Sequence, residues 1–559
     1  MKQGALAAVA VLWLLAAVPA SAQEAPERVA IVVIIDGASL PDLLAVPELR
    51  TLASRGGVAL MNGRTPLRES LVPKLDMREV SPLPLTNHGI DLRNGSPTEA
   101  AAAIQGFLEE HPQPTLAMLV STSPSEATAE DGDQVGTVIA ARGDPAELFE
   151  PDGGPKALTS DSTRRPGVVT TLDPAATVAE WLDLPYDQGS PIESTDDPAP
   201  LDLYERYLQQ RRLAVPTAAA SWGVMMLFGL AAVVALALRE RLSSKALRAV
   251  EALTSALPWL ALGLLIVGHL PTLFVATVIS FLVAFVTAGI VFTRWVVARH
   301  GTFVALAATG GVILAILAVE AALGWPAAVT PLAGGGQLDG GRFFGMPNIE
   351  IGIVLGSAMF LAHRIRVGSG FLLLAVCALV CGSPWTGSNL GAGITLFAAA
   401  GLWLAIRRRR PWWMIAVIAG ATTAVGTAAV ALMHRYLTDR STHVTAFLEG
   451  TDGVMGAIER QLERLGVGLD LIADNPLALI PVVGTLVLLV IVLRPGPAIA
   501  RSFEGHDAWR DALLVILLGS IVAYLAEDTG AAAVGFAFGF ALSGLLGVSL
   551  AAARGKMTR

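Results

Sequence analysis

The chain turns apolar from Val29 to Ile35, a seven-residue run rich in Val and Ile that stops at Asp36-Gly37. A run this short and this β-branched predicts a strand buried on both faces. Leu116 to Ser121 and Gly136 to Ala141 repeat the pattern. Between and after them, Pro41 to Arg55 (interrupted by Pro47), Thr98 to Glu110 and Asp173 to Leu182 predict helices. Strands alternating with helices predict an α/β domain built on a parallel sheet with covered faces.

Near Pro216 the pattern changes. Apolar runs of spanning or near-spanning length occupy 216–238, 252–269, 272–293, 302–323, 349–362, 370–382, 389–406, 411–433, 476–493, 510–526 and 530–552. They predict an all-α polytopic membrane bundle of about eleven helices. The first 22 residues have the layout of a signal peptide: Lys2, an apolar stretch from Ala5 to Val18, and Ala20-Ser21-Ala22 as cleavage site. An uncleaved first anchor is the alternative. The expected organisation is therefore 1–22 signal segment, 23–213 exported domain and 214–559 membrane domain.

Charge follows the same division. Between Gln23 and Val215 there are 30 acidic and 15 basic residues, whereas the whole chain carries −8. Acidic outside and basic inside matches the positive-inside rule. With the exported domain outside, the alternate turns place Arg239, Arg241, Lys245 and Arg248, then Arg294 and Arg299, Arg364 and Arg366, Arg407 to Arg410, Arg494 and Arg501, and Arg554 to Arg559 inside. The expectation is a multi-pass cell-membrane protein with residues 23–213 extracytoplasmic and the C-terminus cytoplasmic. An acidic soluble part repels phosphate, so nucleic acid is excluded as a partner. Cys377 and Cys381 are the only cysteines, so no disulfide staples the exported domain. They read as small residues of a helical core.

The remaining turns are glycine-rich and polar: GGGQLDGGRFFGMPNIE (334–350), GSPWTGSNLGAG (382–393), HRYLTDRSTH (434–443) and AEDTG (526–530). Irregular backbone at a membrane face needs protein partners, and ionisable groups there are candidates for function. Asp339, Arg342, Glu350, Asn389, Asp439, Arg440, His443, Glu527 and Asp528 are expected to converge on one pocket. Ordinary solvated turns with helix-capping charges are the competing reading, favoured for Glu527 and Asp528. Val454, Ile458, Leu462 and Leu465 fall at helical spacing and predict an amphipathic surface helix.

VVIIDG (32–37), with PDLL and PELRTLASRGGVAL after it, resembles the opening of the alkaline phosphatase superfamily, which includes sulfatases, phosphodiesterases and phosphoethanolamine transferases. TLDPAATVAEWLDLP (171–185) resembles a segment near that fold's end. TSDSTRRPGVV (159–169) and GGRFFGMPNIE (340–350) look like motifs of uncharacterised Gram-positive membrane proteins. The resemblance implies two divalent ions on Asp and His ligands, with Asp36 at the first ligand position. The rest of that set is missing. The exported domain holds only His88 and His111, and LAMLVSTSPS (116–125) has hydroxyls where the family has Ser-Asp-His-Gly. What is implied is a shortened, degenerate domain with Asp36 as a vestigial metal ligand, and no cofactor is expected. Arg164 and Arg165 suit an anion such as a lipid or glycan phosphate, or pair with the domain's excess acid.

Three functions follow. The first is a non-catalytic envelope protein whose head binds or positions an envelope component or a protein partner. The second is an envelope enzyme acting on a lipid-linked substrate at the outer turns, with Arg342 clamping phosphate and Glu350, Asp439 or His443 as general base. The third is a transporter or flippase for a lipid-linked precursor. Membrane lipids are partners in all three.

Overall fold

The computed structural model describes residues 28–62, 87–92, 95–122, 135–150, 152–184, 189–332, 338, 344–438, 444, 466, 478–527 and 530–554. Asp339, Arg342, Asp439, Arg440, His443, Asp528 and the amphipathic segment from Val454 to Leu465 lie outside them.

The head is a sheet domain. Its elements are β1 (Val29–Asp36), α1 (Leu40–Ala45), α2 (Pro47–Arg55), β2 (Gly57–Asn62), β3 (Asn87–Leu92), α3 (Pro97–Glu110), β4 (Thr115–Thr122), β5 (Gly136–Gly143), α4 (Pro145–Leu148), β6 (Lys156–Ser160), β7 (Val168–Thr170), α5 (Asp173–Trp181) and β8 (Ile192–Pro198). Strand β1 runs parallel between β3 and β4. Val29, Ile31, Val33 and Ile35 pack into one apolar layer, and Ala30, Val32 and Ile34 into the other. This two-residue alternation between two buried faces is why the strand reads as a continuous apolar run.

The sheet is mixed, which corrects the parallel expectation. Strand β5 lies antiparallel to both β4 and β2, and β8 antiparallel to β6. Side-chain alternation fixes which face a residue occupies and carries no information on strand direction. His88 lies in β3 opposite Ile31. The helix starts are locally encoded. Ser39 with Asp42, and Ser96 with Glu99, form capping boxes, and Pro47 and Pro97 occupy first-turn positions.

Helix α6 (Leu201–Ala237) joins head to bundle without a break and carries Pro216 inside it. Tyr204 and Tyr207 near its start belong to the head's core, and Met225, Ala232 and Leu236 belong to the bundle's. Val329 and Leu338, from the connection after α10 (Thr302–Ala322), also insert into the head's core. Head and bundle therefore share buried apolar surface.

The bundle continues through α7 (Ser244–Thr254), α8 (Ala256–Ile266), α9 (Val275–His300), α10, α11 (Glu350–Ala362), α12 (Val367–Gly382), α13 (Leu390–Arg407), α14 (Trp412–Tyr436), α15 (Leu479–Leu493), α16 (Pro497–Phe503), α17 (Asp507–Ala526) and α18 (Gly530–Ala553). Seven described helices, with α7 and α8 counted as one, are long and apolar enough to cross a membrane. Four shorter apolar helices accompany them, at Gly223–Ala237, α11, α12 and α15. Helices α11 and α18 are buried almost throughout. They approach closely because Gly352 lies against Ala533 and Gly356 against the ring of Phe540. Helices α9 and α14 instead expose Val283, Val291, Trp295, Trp412, Val417 and Val425. Apolar belts of this kind suit lipid contact.

The end of the bundle away from the head is tied by ions. Buried Glu251 meets Arg294 at 3.1 Å and also pairs with Arg554. Buried Asp511 meets Arg407 and Arg409, each at 3.0 Å.

Candidate functional site: the seam between head and bundle

The loop between β6 and β7 carries the paired arginines, and buried Asp173 holds it in shape. The Asp173 carboxylate accepts from Ser160 Oγ at 2.6 Å, Ser162 Oγ at 2.7 Å, the Thr170 amide at 2.7 Å and the Ser190 amide at 3.0 Å. Burial pushes this carboxyl above the ordinary aspartate value, against the opposing pull of those four donors. The loop closes with Arg164 in the left-handed region at φ 56° and its amide donating to Ser160 O at 2.8 Å.

Both arginines leave the head and meet the bundle. Arg164 Nη2 donates to Pro384 O at 2.8 Å, and its guanidinium lies 4.0 Å from the centre of the Phe344 ring. Arg165 Nη2 donates to Gly324 O at 2.6 Å and Trp325 O at 2.8 Å. Burial pulls the Arg165 guanidinium down to about 10, and the nearby Glu320 carboxylate opposes that shift. Arg165 therefore stays charged at neutral pH. Glu320 is itself buried, pairs with His269, and accepts from the Ala327 amide at 3.2 Å. A second set of contacts comes from α6. Arg206 donates to Gly268 O and to Thr330 Oγ1, Gln210 donates to Pro331 O at 3.1 Å, and Gln209 accepts from the Leu273 amide at 2.7 Å. Desolvation lowers the Arg206 guanidinium as well.

Beneath the arginines lies a polar floor. Helix α11 has 13 residues, so it is roughly 20 Å long against the roughly 30 Å of a hydrocarbon core. Non-helical backbone above so short a helix needs internal partners. The Met346 amide donates to Gly387 O at 2.8 Å, and Asn389 Nδ2 donates to Met346 O at 3.2 Å. Asn389 also caps α13 by accepting from the Ala392 amide at 2.8 Å. His434 is buried against Gly382 O at 2.8 Å.

Of the residues singled out by sequence, Glu350 is buried and begins α11, with Asn348 two positions before it beside Asn389 at 3.4 Å. Glu527 packs where Gly391 has no side chain, next to the Asn389 cap. Glu350, Asn389 and Glu527 are thus all buried, with Glu527 against Gly391 two positions after Asn389. Glu527 is only 4% exposed, which replaces the solvated-turn reading. Arg342, Asp439 and His443 fall outside the described residues. Asp36 ends β1, in register with Thr122 of β4. Ser121, among the hydroxyls at the end of that strand, spends its own on Ala38 O at 2.6 Å. His111 caps α3, with Nδ1 2.9 Å from Phe107 O. Among the described residues, no three His, Cys, Asp or Glu side chains gather in a metal-binding arrangement.

Sequence reasoning missed Asp173 as the organiser of the arginine loop. The available signal was an acid preceding Pro174 at the start of the helix DPAATVAEW. It also missed Arg206 and Gln210, which a four-residue helical spacing places on one face of α6. No protein-family model, no curated protein and no solved structure matches the chain.

Proposed function

We propose that this chain is a multi-pass cell-envelope protein whose alkaline phosphatase-like head is a non-catalytic module, docked on the membrane bundle to bind or position an envelope component. In this reading eleven helices cross the cell membrane, the head is extracytoplasmic and the C-terminus is cytoplasmic. The basic turns at the end away from the head support that orientation.

The observation that carries the reading is the use made of Arg164 and Arg165. Both guanidinium groups are committed to carbonyls of the bundle's turns. Cationic side chains that dock two domains fix the head's orientation relative to the membrane. A component held by the head is then held at a defined place over the bundle. The test is metal content and phosphodiester cleavage of the purified full-length protein. Substoichiometric zinc and manganese, with no cleavage of bis-p-nitrophenyl phosphate above an Asp36→Ala variant, supports the module. Stoichiometric metal and cleavage, both lost in Asp36→Ala, overturns it.

The burial of Glu350, Asn389 and Glu527 favours a second reading, an envelope enzyme acting on a lipid-linked substrate at these turns. Single alanine replacements of Arg342, Glu350, Asp439 and His443 test it. Loss of one lipid-linked species at unchanged protein level supports the enzyme. Unchanged envelope composition in all four removes it.

A further inference from the structure

At the end of the bundle away from the head, a cavity of about 350 Å3 opens among Phe303, His363, Arg364, Arg407, His506 and Trp509. It joins α10, the end of α11, the end of α13 and the start of α17. Its wall is aromatic. Phe303 lies 4.0 Å from His506 and 5.9 Å from His363, and His363 lies 5.2 Å from Trp509, centre to centre. Phe303 and Trp509 are buried, and His363 is 7% exposed.

Polar atoms in this wall lack good partners. Among the described residues, Trp509 Nε1 and Arg407 Nε find no hydrogen-bond partner. Among the described residues the ring nitrogens of His363 have none either. Orphaned buried donors cost free energy unless something meets them. The residues from Gly505 to Trp509 also line the cavity, so the first turn of the 20-residue helix α17 faces it. That end of a helix favours negative charge.

Of the two arginines lining the cavity, Arg364 alone is uncommitted among the described residues. Asp511 takes Arg407 and Arg409, and Asp507 takes Arg409 at 3.0 Å. Arg364 is exposed at the rim with no ion pair. Both acids are neutralised, and Arg364 remains beside His363 and His506.

We infer that this cavity binds a phosphate-bearing anion, with Arg364 supplying the charge and Trp509 and His363 the directional N–H donors. Guanidinium and ring N–H groups suit phosphate oxygens, and the Phe303 wall suits the carbon stem of a phosphate ester. The cavity is larger than inorganic phosphate alone requires. A lipid headgroup and a soluble phosphate ester present the same chemistry here, and the experiment separates them. This site is distinct from the seam under the head and does not depend on the reading given for it.

The test is calorimetric titration of the full-length protein in detergent micelles with inorganic phosphate and, separately, dioctanoyl phosphatidic acid. Dioctanoylglycerol serves as the uncharged control. The expected result is saturable one-site binding of at least one phosphate probe, weakened tenfold or more in Arg364→Gln, with no binding of the control. Tighter binding of phosphatidic acid assigns the site to a headgroup. Tighter binding of inorganic phosphate assigns it to a soluble ester. His506→Gln, also at the cavity rim, is the second variant and is expected to weaken the same probe severalfold. Absence of saturable binding by both probes overturns the inference. So does equal affinity in wild type, Arg364→Gln and His506→Gln.

Discussion

Arg165 donates to the carbonyl of Trp325 at 2.8 Å, across 160 residues of sequence, and Trp325 sits in the left-handed backbone region at φ 60°. Trp325 is 1% exposed, so its carbonyl turns toward the head while its ring fills the bundle core. A bulky residue in that backbone region costs free energy unless its surroundings hold it there. The arginine from the head is one of the groups that hold it.

Replacing Arg165 by Gln removes the donor to Gly324 and Trp325 and the cation beside Glu320. The expected cost is about 2–3 kcal/mol of docking. Hydrogen exchange at 323–331 should accelerate in this variant, with protection in β1 and β4 unchanged. Arg165→Lys should not fully restore protection, because its ammonium ends one bond short of the Nη2 that makes both hydrogen bonds. Unchanged exchange in both variants would refute the assignment.

Asp173 gives a pH dependence with a defined sign. Its folded value is raised by burial despite its four donors. A carboxyl raised in the folded state stabilises most when protonated. That contribution is complete below the ordinary unfolded value of about 3.9 and is lost as pH rises through the folded value. Asp173→Asn does not titrate. The stability gap between wild type and Asp173→Asn should therefore be larger at pH 4 than at pH 7.5 in thermal unfolding. A gap that widens toward neutral pH would reverse the sign.

Glu251 joins α7 to α9 and to the end of α18 through Arg294 and Arg554. Removing the acid leaves two cations without it, so Glu251→Ala should cost about 3–5 kcal/mol. The check is the melting temperature of the purified protein in detergent. A triple replacement of Glu251, Arg294 and Arg554 by Gln, Met and Met should recover part of the loss.

Gly356 lies against the Phe540 ring, so Gly356→Ala should overpack α11 on α18. A cost of about 1–3 kcal/mol is expected. Phe540→Leu, which shortens the opposing side chain, should rescue the double variant above Gly356→Ala alone. Additive losses in that cycle would show that the two residues do not compete for space.

The sequence made the strand at Val29 to Ile35 legible because both of its faces are buried, and the break before Pro47 legible because proline marks it. Each of the eleven apolar runs coincides with a described helix, although four of those helices are short. Strand direction was not legible, because β5 has the same alternation whichever way it runs. Pro216 marked the change of solvent, yet α6 passes through it, since composition can switch along a helix that does not end. Arg164 and Arg165 stood out as cations, but their partners are carbonyls, which every residue carries and no side chain advertises. Glu527 looked like a turn residue because its burial depends on Gly391, more than a hundred positions away.

Docking of the head on the bundle by Arg164 and Arg165 is the central claim. Its most direct measurement is a pulsed electron-paramagnetic-resonance distance between spin labels at Glu193, exposed on β8, and Leu437, exposed at the end of α14. The labels go on a chain with Cys377 and Cys381 replaced by Ala. One narrow distance distribution is expected with both arginines present, broadening in the Arg164→Gln, Arg165→Gln variant. A distribution already broad in the parent chain, or one unaltered by removing both guanidinium groups, would contradict the docked head.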